Sequence, residues 1–256
     1  MRWLARCRCR RSIPLQCSGA FLPTLTLLGD DLEATVSGGV LTELTGTRIT
    51  QLSFFGSTYN IGLMGLDVSA TAFFDLVQAK NWAGLAVFVR QGDDRVLGTH
   101  NNDTLLGGDG NDTFVSNAGR DLIYGGTGND TMEAMGGHDV MTGGQGADQF
   151  QFAMEPEPND GNWVTIRDFK HGIDRIAVSD TAFNHVGFGG FTGAVMDASH
   201  FHVGRNAVTG DQGIVYNKAK GLLYYDADGS GSQADKVLFA KVDPGTVLTA
   251  EDFWVI

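Results

Sequence analysis

The chain has 256 residues, enough for one or two domains, with 36 Gly and a formal net charge of −12. So acidic a body argues against nucleic acid and toward cations as partners, and no apolar run reaches the ~18 residues of a membrane span. All three cysteines, Cys7, Cys9 and Cys17, fall in the first 17 residues, so no disulfide framework supports the rest.

Residues 1–28 begin with Arg2, Arg6, Arg8, Arg10 and Arg11 and continue into FLPTLTLLG. The start reads as a signal peptide with Arg10-Arg11 as a twin-arginine element, but Pro14 and Pro23 interrupt the apolar part and no small-x-small cleavage site follows, so a disordered tail or a start codon placed too early is at least as well supported. Residues 29–88 alternate in short runs that predict strands over Leu32–Val36, Val40–Leu44 and Ile49–Phe55. Ser69 predicts the N-cap of a helix over Ala70–Lys80, with Phe73, Phe74 and Val77 on one face. This stretch is expected to cap the open end of the solenoid that follows.

From Val89 the chain repeats a nine-residue phrase seven times: VRQGDDRVL, GTHNNDTLL, GGDGNDTFV, SNAGRDLIY, GGTGNDTME, AMGGHDVMT and GGQGADQFQ. The sixth position is always Asp: Asp94, Asp103, Asp112, Asp121, Asp130, Asp139 and Asp148. The eighth is always large and apolar: Val96, Leu105, Phe114, Ile123, Met132, Met141 and Phe150. The fourth is Gly except at Asn101, which is expected to take the same left-handed backbone. Three turns have the full G-G-x-G-x-D form, with Gly108 and Gly110, Gly126 and Gly128, and Gly144 and Gly146 at the second and fourth positions. These glycines permit a tight turn lined by carbonyl oxygens, and each Asp adds a charged oxygen, a donor set suited to calcium. The residues after each Asp predict a very short strand whose middle side chain points to the core. Two repeats are expected to complete one coil, stacking Asp94, Asp112, Asp130 and Asp148 on one edge and Asp103, Asp121 and Asp139 on the other. At a strand spacing of about 4.8 Å, two such carboxylates repel by about 3.5 kcal/mol at an effective dielectric of about 20, so a cation is expected between turns.

The segment resembles the calcium-binding repeats of the RTX family, found in hemolysin-type toxins and serralysin-like secreted metalloproteases. That resemblance implies an all-β fold: a parallel β-roll over 89–152 that binds several Ca2+ ions, with the seven Asp and the six named Gly as its metal site. The roll lies between the N-terminal β/short-helix cap and a C-terminal antiparallel β region over 153–256.

After the turn-rich break Glu155–Gly161, strands are predicted over Val164–Phe169 and Arg175–Val178, around the phrase Asp168-Phe169-Lys170-His171-Gly172-Ile173-Asp174. This phrase resembles the segment after the repeats in serralysin-type C-terminal domains. Ile214–Asn217 and Leu222–Tyr225 predict a hairpin, and Val237–Val242 a further strand. Asp226, Asp228 and Ser230 fit the first half of an EF-hand loop, but the twelfth position is Val237, so a polar turn is preferred and the three are weaker metal candidates. The end, Glu251-Asp252-Phe253-Trp254-Val255-Ile256, resembles the uncleaved signal of type I export substrates and is also suited to a core strand.

Neither H-E-x-x-H nor G-x-S-x-G occurs. The expectation is a non-enzymatic, secreted, extracellular calcium-binding module, with a type I exporter as partner and no nucleic acid or membrane span. The other reading is a C-terminal fragment or degenerate relative of a serralysin-like metalloprotease or another RTX hydrolase. No feature names an adhesion partner.

Overall fold

The computed structural model describes residues 5–8, 24–30, 33–37, 40–45, 48–55, 60–68, 91–157, 161–183, 193–231 and 236–256, those before 91 by backbone pairing alone. The expected helix over Ala70–Lys80, with its cap Ser69, lies outside the described residues.

Strands β1 (Ala5–Arg8), β3 (Glu33–Ser37) and β4 (Val40–Thr45) form a three-stranded antiparallel sheet. Strands β2 (Thr24–Asp30), β5 (Arg48–Phe55) and β6 (Asn60–Val68) pair antiparallel, and β6 pairs with β7 (Arg95–Leu97), the first strand of the repeats. This edge of the roll thus continues into the preceding segment.

The repeats supply β7, β8 (Thr104–Asp109), β9 (Thr113–Val115), β10 (Leu122–Thr127), β11 (Thr131–Ala134), β12 (Val140–Gln145) and β13 (Gln149–Phe152). Alternate strands pair in parallel: β7, β9, β11 and β13 on one sheet, and β8, β10 and β12 on the other. Val96 lies opposite Phe114, and Leu105 opposite Ile123. Two nonapeptides therefore make one coil. The eighth-position side chains fill the space between the sheets, and all seven are at most 1% exposed. No single repeat could hide such a side chain alone; the stack can.

Both sheets outlast the repeats. β14 (Val164–Ile166) adds in parallel to β12, and β15 (Arg175–Val178) to β13. Phe150 hands its column to Ile176 and then to Phe253, while Met141 hands the other to Ile166. Arg167–Asp174 is a turn, so the strand expected to reach Phe169 stops three residues earlier. The C-terminal region is antiparallel where expected, from β18 (Ile214–Asn217) through β19 (Leu222–Tyr225) to β20 (Val237–Lys241). β20 nevertheless joins β14 in parallel, and the last strand, β21 (Phe253–Val255), joins β15 in parallel. The short β16 (Ala194–Val195) and β17 (Phe201–Val203) close the two sheets.

Candidate metal centre

The glycines of the three full turns do what their spacing implies. Gly108, Gly126 and Gly144 have φ between 103° and 120°, and Gly110, Gly128 and Gly146 between 119° and 130°. Each coil also lies directly on the one before. A Cβ on Gly126 would meet the Gly108 carbonyl oxygen at 2.1 Å, and one on Gly128 the Gly110 oxygen at 2.0 Å. Asn101 departs from expectation. It is not left-handed; among the described non-glycine residues only Asn117 is, with φ 62°. The Thr99 hydroxyl accepts from Asn101 N and donates to Asp103, closing that turn through a side chain instead.

All seven repeat Asp are buried, none more than 5% exposed. Their carboxylates do not merely face one another, because five of the seven also reach to the preceding coil. On the first edge Asp94 N donates to Asp112 Oδ1 at 2.8 Å, Asp112 N to Asp130 Oδ1 at 2.8 Å, and Asp130 N to Asp148 Oδ1 at 3.0 Å. On the second, Asp103 N donates to Asp121 Oδ1 at 2.8 Å and Asp121 N to Asp139 Oδ1 at 2.9 Å. These bonds engage one oxygen each of Asp112, Asp121, Asp130, Asp139 and Asp148, and Thr99 N engages one of Asp103. Others are left over: Oδ2 of Asp94, Asp112, Asp121, Asp130 and Asp148, and Oδ1 of Asp103, are buried without a hydrogen-bond partner. Burying an ionised carboxylate in this way costs several kcal/mol unless charge and coordination are supplied.

The space beside those oxygens is kept open by the first-position glycines, a feature the sequence reading missed. A Cβ on Gly107 would lie 2.0 Å from Asp112 Oδ2 and 2.6 Å from the Gly125 carbonyl oxygen. On Gly125 it would lie 2.1 Å from Asp130 Oδ2 and 2.5 Å from the Gly143 oxygen, and on Gly143 it would lie 2.2 Å from Asp148 Oδ2. Carboxylate and carbonyl oxygens therefore bound one small space per coil, a fit for a hard cation. Among the described residues no three His, Cys, Asp or Glu side chains converge, so main-chain carbonyls must supply much of the donor set.

The second edge is built differently. Its first positions are Gly98, Ser116 and Ala134. The Ser116 hydroxyl, fully buried, donates to Asp139 Oδ2 at 3.1 Å, so Asp139 alone of the seven has both oxygens satisfied inside the chain.

Electrostatics follow burial. Desolvation, helped by neighbouring carboxylates, pushes Asp94, Asp121 and Asp130 up to about 7, and Asp112 to about 6 despite the N–H of Asp94. Asp139 and Asp148 are raised for the same first reason.

The weaker candidates lie elsewhere. Asp226 is buried, its Oδ1 has no hydrogen-bond partner, and burial with the nearby Asp228 raises it to about 6. Ser230 is exposed, and its N–H bonds the Thr209 carbonyl, so the loop docks on the preceding turn.

Residues 90–123 and 115–150 match the family model of the RTX calcium-binding nonapeptide repeat (four copies). Among solved structures, the chain is similar to the AlgE6R3 subunit of the mannuronan C5-epimerase of Azotobacter vinelandii. The identity is 26% over 64% of this chain and 78% of that one, with a TM-score of 0.31. No curated protein matches the chain.

Proposed function

We propose, from the premise that residues 90–150 are RTX calcium-binding repeats, that this chain is a secreted module which folds on calcium after type I export and carries no catalytic centre of its own. The observation behind this reading is the row of buried carboxylate oxygens without hydrogen-bond partners along both edges. Asp94, Asp112, Asp130 and Asp148 would hold ions on the first edge, with the main chain at Gly108, Gly110, Gly126, Gly128, Gly144 and Gly146. Asp103, Asp121 and Asp139 would contribute less on the second, where Ser116 already satisfies Asp139. Asp226 and Asp228 form a separate, weaker candidate, favoured by the unpartnered Asp226 Oδ1.

Calcium, when bound, supplies the positive charge that lets buried carboxylates stay ionised between coils. The chain does the rest: the glycines turn the carbonyls inward, and the Asp main-chain N–H groups hold the carboxylates of the following coil in place. Because a cation held only by stacked coils binds only the folded state, each site adds about 2.7 kcal/mol at a hundredfold excess over Kd. In a calcium-poor cytoplasm the repeats would stay unfolded and exportable, then order outside. His171, whose Nδ1 lies 2.8 Å from Asp252, ties its turn to the residue just before the C-terminal strand.

Hydrogen exchange of amides 95–134 with and without chelator tests this. The expected result is fast exchange in chelator and protection in millimolar calcium, with magnesium a poor substitute because it demands a smaller octahedral cage. Full protection in chelator would leave a metal-independent solenoid.

A further inference from the structure

The carboxylate ladder does not end with the repeats. Asp148 N donates to Asp174 Oδ1 at 3.1 Å, and Arg175 N donates to Asp148 O, just as Asp130 N bonds Asp148 Oδ1 and Gln149 N bonds Asp130 O one coil earlier. Asp174, 2% exposed, thus occupies the next place on the first edge, although its turn has no repeat sequence and lies 26 residues on rather than 18. Asp168 closes the same turn, its two oxygens accepting from Gly143 N and Gly144 N at 2.9 and 2.8 Å.

A cation already stands in this turn. Lys170 Nζ donates to the carbonyl oxygen of Gly144, the second-position carbonyl of the last full repeat. The corresponding carbonyls of Gly108 and Gly126 lie under the next coil's glycine. The Lys170 main-chain N–H meanwhile holds Asp174 Oδ2 at 2.7 Å, fixing the base of the side chain against the ladder. The ammonium's charge is felt by Asp148 and Asp174, both raised by burial and further by Asp168, and both drawn back down by Lys170.

We infer that the Lys170 ammonium is a built-in cation that takes the place of a calcium ion between the Asp148 and Asp174 turns, so that this end of the roll is ordered without metal. The inference rests on the calcium-folding reading above. It divides the stack in two: coils below Asp148 need calcium, while the junction of β12 and β13 with β14 and β15 does not. A tethered ammonium is present at every calcium concentration, and its backbone is already held by Asp174.

The experiment is site-resolved hydrogen exchange on the full chain in chelator and in calcium, for the wild type, Lys170→Met and Lys170→Arg. In chelator, wild-type amides in 140–152 and 164–178 are expected to stay protected while those in 95–134 exchange freely. Lys170→Met is expected to lose that protection in chelator and regain it in calcium, and equilibrium dialysis should then count one calcium more than in the wild type. Lys170→Arg, which keeps the charge, is expected to restore protection in chelator. Free exchange of the wild-type 140–178 amides in chelator would overturn the inference while leaving calcium-driven folding intact, and so would undiminished protection in Lys170→Met. Protection of 95–134 in chelator would instead defeat the calcium-folding reading itself.

Discussion

Gly125 has no left-handed backbone, so its need for glycine is spatial: a Cβ there would sit 2.1 Å from Asp130 Oδ2. Gly136, on the other edge, would meet nothing within 4 Å. Gly125→Ala is therefore expected to raise the calcium midpoint of folding, by the equivalent of about 1–3 kcal/mol of overpacking. Gly136→Ala should leave it unchanged, and circular dichroism titration of the two variants decides the matter; equal shifts would remove the spatial argument. The buried carboxylates set a second expectation at this scale. Asp94, Asp121 and Asp130 rise from 3.8 to about 7 in the metal-free fold, so that fold binds more protons than the unfolded chain between those values. Their contribution to stability is then complete below about pH 4 and is lost as pH rises through about 7. In chelator, the repeats should gain protection from hydrogen exchange as pH falls from 8 to 5.5, because protonation removes the charge that calcium otherwise offsets. In calcium, stability should instead fall over the same range, because protons compete with the metal for the same oxygens. Repeat amides with the same protection in chelator at every pH in this range would show that protonation does not relieve the buried carboxylates.

At the scale of the element, the strands depend on columns rather than on local propensity. Phe114 is fully buried between Val96 and Met132, whereas Leu106 on the outer face is 41% exposed. Phe114→Ala should cost about 3–5 kcal/mol in saturating calcium and Leu106→Ala less than about 0.5, measured by urea unfolding. The columns were legible because a nine-residue period fixes one inward side chain per strand, and with it the pairing of Asp94 with Asp112 and Asp130. The first-position glycines were not, since nothing in their spacing separates a glycine kept for its φ from one kept for space. Nor was the outer clip formed by fifth-position side chains. There Asp93 Oδ1 accepts from Asn111 N, Asn111 Oδ1 from Asn129 N, and Asn129 Oδ1 from Ala147 N. These bonds run up the stack while the Asp ladder runs down it, so adjacent coils are gripped from both sides. The phrase from Asp168 to Asp174 stands out in the sequence, but the longer excursion before it hides its place on the ladder.

Across the whole molecule, the two parallel sheets run from the repeats into the C-terminal region, and the last residues belong to them. Phe253 is fully buried, Val255 3% exposed, and β21 is hydrogen-bonded between β15 and β16. The acidic pair before it is equally committed: Asp252 accepts from Thr249 N and Gly172 N and lies against His171. If the same six residues are the export signal, an exporter can read them only before this strand has paired. Folding and export would then compete for one segment. Deleting Glu251–Ile256 is expected to abolish secretion through a co-expressed type I exporter and also to lower stability in calcium, because Ile176 loses the neighbour that continues its column. Deleting residues 1–28 should leave export unchanged. Phe253→Ala separates the two roles. It should cost about 3–5 kcal/mol of folded-state stability, and any loss of secretion beyond what a similarly destabilising Phe114→Ala produces belongs to recognition by the exporter. Equal secretion of the two variants, with the six-residue deletion still exported, would confine these residues to the fold.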